Sequence, residues 1–125
     1  MSRSTPHLVK TLTLAALLSS SLASALAGST GASVRLYAKA SLSSPVLTTL
    51  PSKTPLVIKG CAGGSQGWCA VTAAGRTGFL PRAQVKASGN CAALRAVGLG
   101  DLRRGEASYN GNRDRDGDGV GCDKA

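Results

Sequence analysis

Near its C-terminus the chain reads DRDGDGVGCD, from Asp114 to Asp123. Asp114, Asp116 and Asp118 stand at alternate positions, and Gly119, Val120, Gly121, Cys122 and Asp123 follow. Carboxylates are hard oxygen donors. Spaced this way they converge only if the loop curls around a cation, and glycine is needed where the backbone turns sharply. Ca²⁺ takes six to eight oxygens at about 2.3–2.6 Å, whereas Mg²⁺ prefers to keep its waters. A solvated turn would account for the Asp-Gly pairs. It would not account for three aspartates in alternate register beside a cysteine and a fourth acid. Without a cation these carboxylates repel, and in sequence only Arg113 and Arg115 stand close enough to relieve them.

Other chemistries are poorly supplied. The sole histidine is His7, within an N-terminal stretch that reads as a leader. The remaining chain therefore has no Ser-His-Asp or Cys-His arrangement, no His-metal hydrolase site and no His base. Every acid lies between Asp101 and Asp123, most of them in one loop. The reading is non-enzymatic.

The leader is expected over residues 1–27. Arg3 and Lys10 form a basic start, Leu12–Leu18 an apolar core, and Ala25-Leu26-Ala27 a small-x-small cleavage signal. The apolar run falls short of the about 20 residues that span a bilayer, and no transmembrane segment is expected in the mature chain. Export implies an oxidising compartment, where an even number of cysteines reads as a disulfide framework. The 4 cysteines allow three pairings. Cys61–Cys69 with Cys91–Cys122 is chosen because each pair then falls within one segment of the chain. A loop-entropy argument gives about 2.5 kcal/mol for the short bridge and about 3.5–4 kcal/mol for the long one.

Charge separates those segments. Gly28 to Gly89 carries Arg35, Lys39, Lys53, Lys59, Arg76, Arg82 and Lys86 and no acid, whereas Asn90 to Ala125 balances six bases with six acids. A boundary is expected near Ser88-Gly89, with domains over 30–87 and 90–125. The unopposed bases predict a grip on an anionic cell-wall polymer or peptide. Nucleic acid is not expected, because aromatics and bases do not interleave along a strand. The oligomeric state is not legible.

In the first segment, extended runs over 33–37, 45–50, 56–58, 68–71 and 77–80 alternate with turns, which predicts a small antiparallel barrel. Its VRL opening, the SSPVLTTL stretch, Gly67-Trp68 with Val71, and Gly75 with Gly78-Phe79 resemble a bacterial SH3-like domain. The resemblance implies a β-barrel that binds wall components or peptides. Arg35, Tyr37, Lys39, Lys53 and Lys59 are the candidate ligand-binding residues, with Trp68 and Phe79 assigned to the core.

In the second segment, Asn90 is a natural N-cap for a helix over 91–97, which brings Cys91, Leu94 and Val97 or Leu99 to helical spacing. Gly98 is its expected stop. The aspartate loop matches the start of an EF-hand loop: Asp114, Asp116 and Asp118 fall at positions 1, 3 and 5, Gly119 at 6, and Val120 at 7 to offer its carbonyl. Position 12 is Ala125 rather than a bidentate Glu, so an ordinary EF-hand is excluded. The string NCAALRAVG, a following Tyr, and DRDGDGVGCD instead resemble the excalibur family of extracellular calcium-binding modules. That resemblance implies a Cys91–Cys122 bridge and Ca²⁺ ligation by Asp114, Asp116, Asp118 and Asp123, the last standing where the family has Glu. The expected fold class is mainly β: an SH3-like barrel plus a short disulfide-stapled helix-and-loop calcium module. The expected protein is secreted, extracellular or envelope-associated. The alternatives are an accessory subunit or remnant of a secreted hydrolase or nuclease, and a module that binds another secreted protein.

Overall fold

A computed structural model of the chain describes residues 25–123. The expected leader lies outside the described residues except for Ala25 to Ala27. Leu26 and Ala27 open strand β1 (Leu26–Thr30). Cleavage after Ala27 would keep Gly28 to Thr30, which carry the whole register of β1 with β7.

Alternation builds the sheet. In β4 (Pro55–Ala62) Leu56 and Ile58 point inward, and in β5 (Trp68–Ala73) Cys69, Val71 and Ala73 do. β2 (Val34–Tyr37), β3 (Val46–Leu50), β6 (Arg76–Pro81) and β7 (Val85–Ala87) complete an antiparallel sheet in the order β3-β2-β6-β5-β4-β1-β7. The register shifts in β2 at Leu36/Tyr37 and in β4 at Ile58/Gly60, irregularities of the kind that bend strands. β2 to β6 match the five strands legible in the sequence. β1 and β7 are additional, and they form one end of the sheet.

Both expected disulfides are present. Cys61–Cys69 joins directly paired positions of β4 and β5, and Cys91–Cys122 ties the helix to the aspartate loop. Helix α1 (Cys91–Ala96) starts at Asn90, whose side chain accepts from the Ala93 N–H, and stops at Gly98 with φ 88°. A Cβ at Gly98 would also lie 2.1 Å from the Cys61 carbonyl oxygen, so only glycine lets the helix end approach β4 this closely. There the Cys61 N–H donates to the Val97 carbonyl at 2.6 Å. β8 (Leu102–Arg103) and β9 (Val120–Gly121) form a two-residue ladder under the loop.

The two segments share one core. Leu94, Val97, Leu99, Leu102 and Cys122 belong to the same buried cluster as Leu36, Ile58, Val71 and Leu80. At the junction Arg82 is buried, and its Nε donates to Glu106 Oε1 at 2.7 Å. Its other nitrogens donate to Glu106 Oε2 at 3.3 Å, the Gly100 carbonyl at 2.6 Å and the Gly98 carbonyl at 3.3 Å. This corrects the picture of seven unopposed surface bases, because Arg82 is an internal clamp with a carboxylate partner. The junction also covers the edge of β7. Ser108 Oγ donates to the Val85 carbonyl at 2.5 Å and accepts from the Ala87 N–H at 2.9 Å.

Removing one member of a buried ion pair leaves the other charge uncompensated, at a cost of about 3–5 kcal/mol. Glu106→Ala is therefore expected to lower unfolding free energy by about that amount in urea titrations. A loss within the few tenths typical of a surface substitution would contradict the clamp.

Candidate metal centre

The loop begins where a 3-10 turn (Gly111–Arg113) ends, capped by Asn110, whose side chain accepts from the Arg113 N–H at 3.0 Å. Two glycines then reverse the chain in left-handed conformations, Gly117 at φ 72° and Gly119 at φ 88°. Short backbone-to-carboxylate bonds curl it further. The Val120 N–H donates to Asp118 Oδ1 at 2.9 Å, and the Asp118 N–H to Asp116 Oδ1 at 3.4 Å. One carboxylate oxygen from each of Asp114, Asp116 and Asp118 comes to lie within 4.8 Å of the others.

Asp114 is the inner member. It is buried, while Asp116 and Asp118 face solvent. Its Oδ2 accepts from the Tyr109 hydroxyl and from the Gly119 N–H at 2.9 Å. Its Oδ1 is buried with no hydrogen-bond partner. A buried carboxylate oxygen left without a donor is costly. A hard cation on that oxygen removes the cost, so the residues fit a bound Ca²⁺. The chemistry such an ion supplies is neutralisation of the clustered carboxylates and cross-linking of the loop.

The electrostatics are divided. The Tyr109 hydroxyl, with help from the Gly119 N–H, holds Asp114 below the ordinary carboxylate value of 3.8 despite burial. The same bond pushes the Tyr109 phenol above 10.0. Asp116 goes the other way. The Asp118 N–H draws it down, but lost hydration and the crowding carboxylates of Asp118 and Asp114 outweigh that and leave it above 3.8. The pKa values of Asp114 and Asp116 are thus pushed apart, the inner one down and the next one up.

Residues 31–86 match the family model described as Bacterial SH3 domain, and residues 89–122 match the one described as Excalibur calcium-binding domain. The chain joins a bacterial SH3 domain to an Excalibur calcium-binding domain. No curated protein and no solved structure matches it.

Within the Excalibur domain the structure assembles Asp114, Asp116 and Asp118. Asp123 stands outside that group, on the wall of a neighbouring cleft that Val120 also lines. The cations differ from the expectation. Arg113 is turned away from the carboxylates: its Nη1 donates to the Ser108 carbonyl at 2.6 Å, and its Nη2 to the carbonyls of Ala87 at 3.0 Å and Gly89 at 2.8 Å. Arg104 takes its place. Its guanidinium lies where a Gly119 Cβ would meet it at 3.2 Å, and its Nη2 donates to the Gly117 carbonyl at 3.2 Å. Sequence reasoning missed the roles of Tyr109 and Arg104, although the Tyr was part of the family pattern.

In the SH3 domain Arg35, Lys39, Lys53 and Lys59 are exposed. Tyr37 is 8 % exposed and meets Trp68 edge-on with ring centroids 5.4 Å apart, so its ring is a core contact and not an open ligand platform. Trp68 and Phe79, assigned to the core from sequence, are only partly buried. They line a groove of about 540 Å³ whose floor is Gly60, Ala70 and Phe79.

Tyr109→Phe removes the hydroxyl that holds Asp114 down and keeps the ring. In a carboxyl-detected NMR pH titration of the metal-free protein, the Asp114 pKa is expected to rise toward 3.8. An unchanged value would show that burial and the Gly119 N–H set it without the phenol.

Proposed function

We propose that this chain is a secreted, non-enzymatic binding protein in which a Ca²⁺-loaded C-terminal module stiffens a barrel that grips an anionic envelope component. The carrying observation is the Asp114 Oδ1, buried without a partner beside the carboxylates of Asp116 and Asp118. In this reading those three side chains and the Val120 carbonyl hold the ion, and Asp123 does not contact it directly. Export is supported by the two disulfides and the absence of free cysteines among the described residues.

The barrel partner is read from charge and shape. Lys39 and Lys59 are exposed next to Ala40 and Gly60, which line the Trp68–Phe79 groove. An apolar slot flanked by lysines suits an acidic peptide stem or an anionic glycopolymer, with the aromatics contacting its body and the lysines its charge. Arg35 and Lys53 add to the field around it. No carboxylate pair is proposed for acid–base work, since Glu106 is engaged by Arg82.

Calorimetric titration of Ca²⁺ into the oxidised protein is expected to saturate near one equivalent, with a dissociation constant on the order of 10⁻⁴–10⁻³ M. Saturation should raise the melting temperature, with about 2.7 kcal/mol of stabilisation at a hundredfold excess over that constant. Asp114→Asn and Asp118→Asn should each abolish the heat. Absence of both heat and melting shift in millimolar Ca²⁺ would overturn the metal reading. For the barrel, cosedimentation with purified cell walls should fall with added salt and in a Lys39→Gln, Lys59→Gln double variant. Undiminished binding by that variant would overturn the electrostatic grip.

A further inference from the structure

Between α1 and the aspartate loop lies a half-open cleft of about 490 Å³. Arg95, Arg113 and Arg115 line it. Its apolar wall is Val120 with the Cys91–Cys122 disulfide. Arg113 is fixed by its three carbonyl contacts and cannot swing out without breaking them. Arg95 and Arg115 are exposed and have no carboxylate within ion-pair distance among the described residues. Two exposed arginines without a carboxylate partner, beside a third held in place, line a cleft of small-ligand size.

Guanidinium groups present planar, forked donors that match oxyanions in two-point contact. Two acids share the cleft, Asp116 and Asp123. In the metal-free state they offset most of the arginine charge. Asp116 is also one of the three clustered carboxylates, so a cation on that cluster removes one negative charge from the cleft wall.

We propose that this cleft is a Ca²⁺-dependent binding site for a phosphate group carried on a small polar body. Arg95 and Arg115 grip the phosphoryl oxygens, Arg113 supplies fixed positive charge behind them, and Val120 with the disulfide contacts the body. A doubly charged phosphate fits two exposed guanidinium groups, with a third cation nearby, better than a single carboxylate does. The Ca²⁺ dependence rests on the ion binding proposed above. The site itself is separate from the barrel groove, which is lined by other residues.

The test uses the full oxidised protein, glycerol 3-phosphate as probe, and calorimetry with and without saturating Ca²⁺. Saturable binding is expected with Ca²⁺, at least about tenfold weaker without it. Arg95→Gln and Arg115→Gln should each weaken it about tenfold while Ca²⁺ binding persists. Ca²⁺ binding without phosphate binding would overturn this proposal alone. Phosphate binding that ignores both substitutions would also overturn it. Loss of Ca²⁺ binding in the wild-type protein would overturn the reading on which the dependence rests. Phosphatidylglycerol vesicles provide a further arm. Cosedimentation that needs both arginines assigns the phosphate to a lipid headgroup, and binding of the free ester alone assigns it to a soluble or polymeric source. Either result supports the site.

Discussion

Arg82 and Glu106 are withdrawn from water almost completely, at 3 % and 2 % side-chain exposure. Neither could be buried alone, because an isolated charge inside a protein is prohibitively unfavourable. The clamp and the shared core therefore couple the sheet to the C-terminal segment packed against it. Glu106 Oε2 also takes the Arg103 N–H at 2.7 Å, which closes the turn leading to Ala107. From there the chain is pinned to the barrel, Ala107 to the Ala83 carbonyl at 2.8 Å and Ser108 to the Val85 carbonyl and the Ala87 N–H of β7. Tyr109 comes next, and its hydroxyl reaches Asp114. The inner carboxylate of the metal loop is thus positioned through a short run of contacts that starts at the clamp.

That loop holds an unresolved electrostatic conflict. Its geometry is imposed by two left-handed glycines, by the β8–β9 ladder and by the Cys122 N–H on the Arg113 carbonyl at 2.7 Å. These turns bring the carboxylates of Asp114, Asp116 and Asp118 together. Tyr109 holds the Asp114 pKa down, crowding raises that of Asp116, and Arg104 donates to the backbone of the turn. A small module with little core of its own benefits from such an arrangement, since metal binding then contributes directly to folding.

What the sequence revealed follows the range of the interactions. Alternate aspartates, the Asn90 cap, the Gly98 stop and the pairing of cysteines within segments are local patterns, and each appears where spacing puts it. β2 to β6 were legible for the same reason. The junction was not. Arg82 looks like any surface base until a glutamate 24 residues away meets it. Ser108 and Arg113 spend their polar groups on backbone carbonyls and amides far along the chain, which no short motif encodes. β7, β8 and β9 are two or three residues long and exist only through their partners. Tyr37 and Trp68 exchanged their expected settings: Tyr37 is buried and Trp68 is left partly exposed at a groove.

The central claim is that a hard cation sits on Asp114, next to the Tyr109 hydroxyl. Terbium resembles Ca²⁺ in size and oxygen preference, and light absorbed by an aromatic ring close by sensitises its luminescence. The protein has 2 tyrosines and 1 tryptophan, and Tyr109 alone among them touches the loop. Sensitised terbium emission should therefore be strong in the wild-type protein, fall on adding Ca²⁺, and disappear in Tyr109→Phe at saturating terbium. Emission that survives that substitution, or that Ca²⁺ does not displace, would place the ion elsewhere and contradict the account.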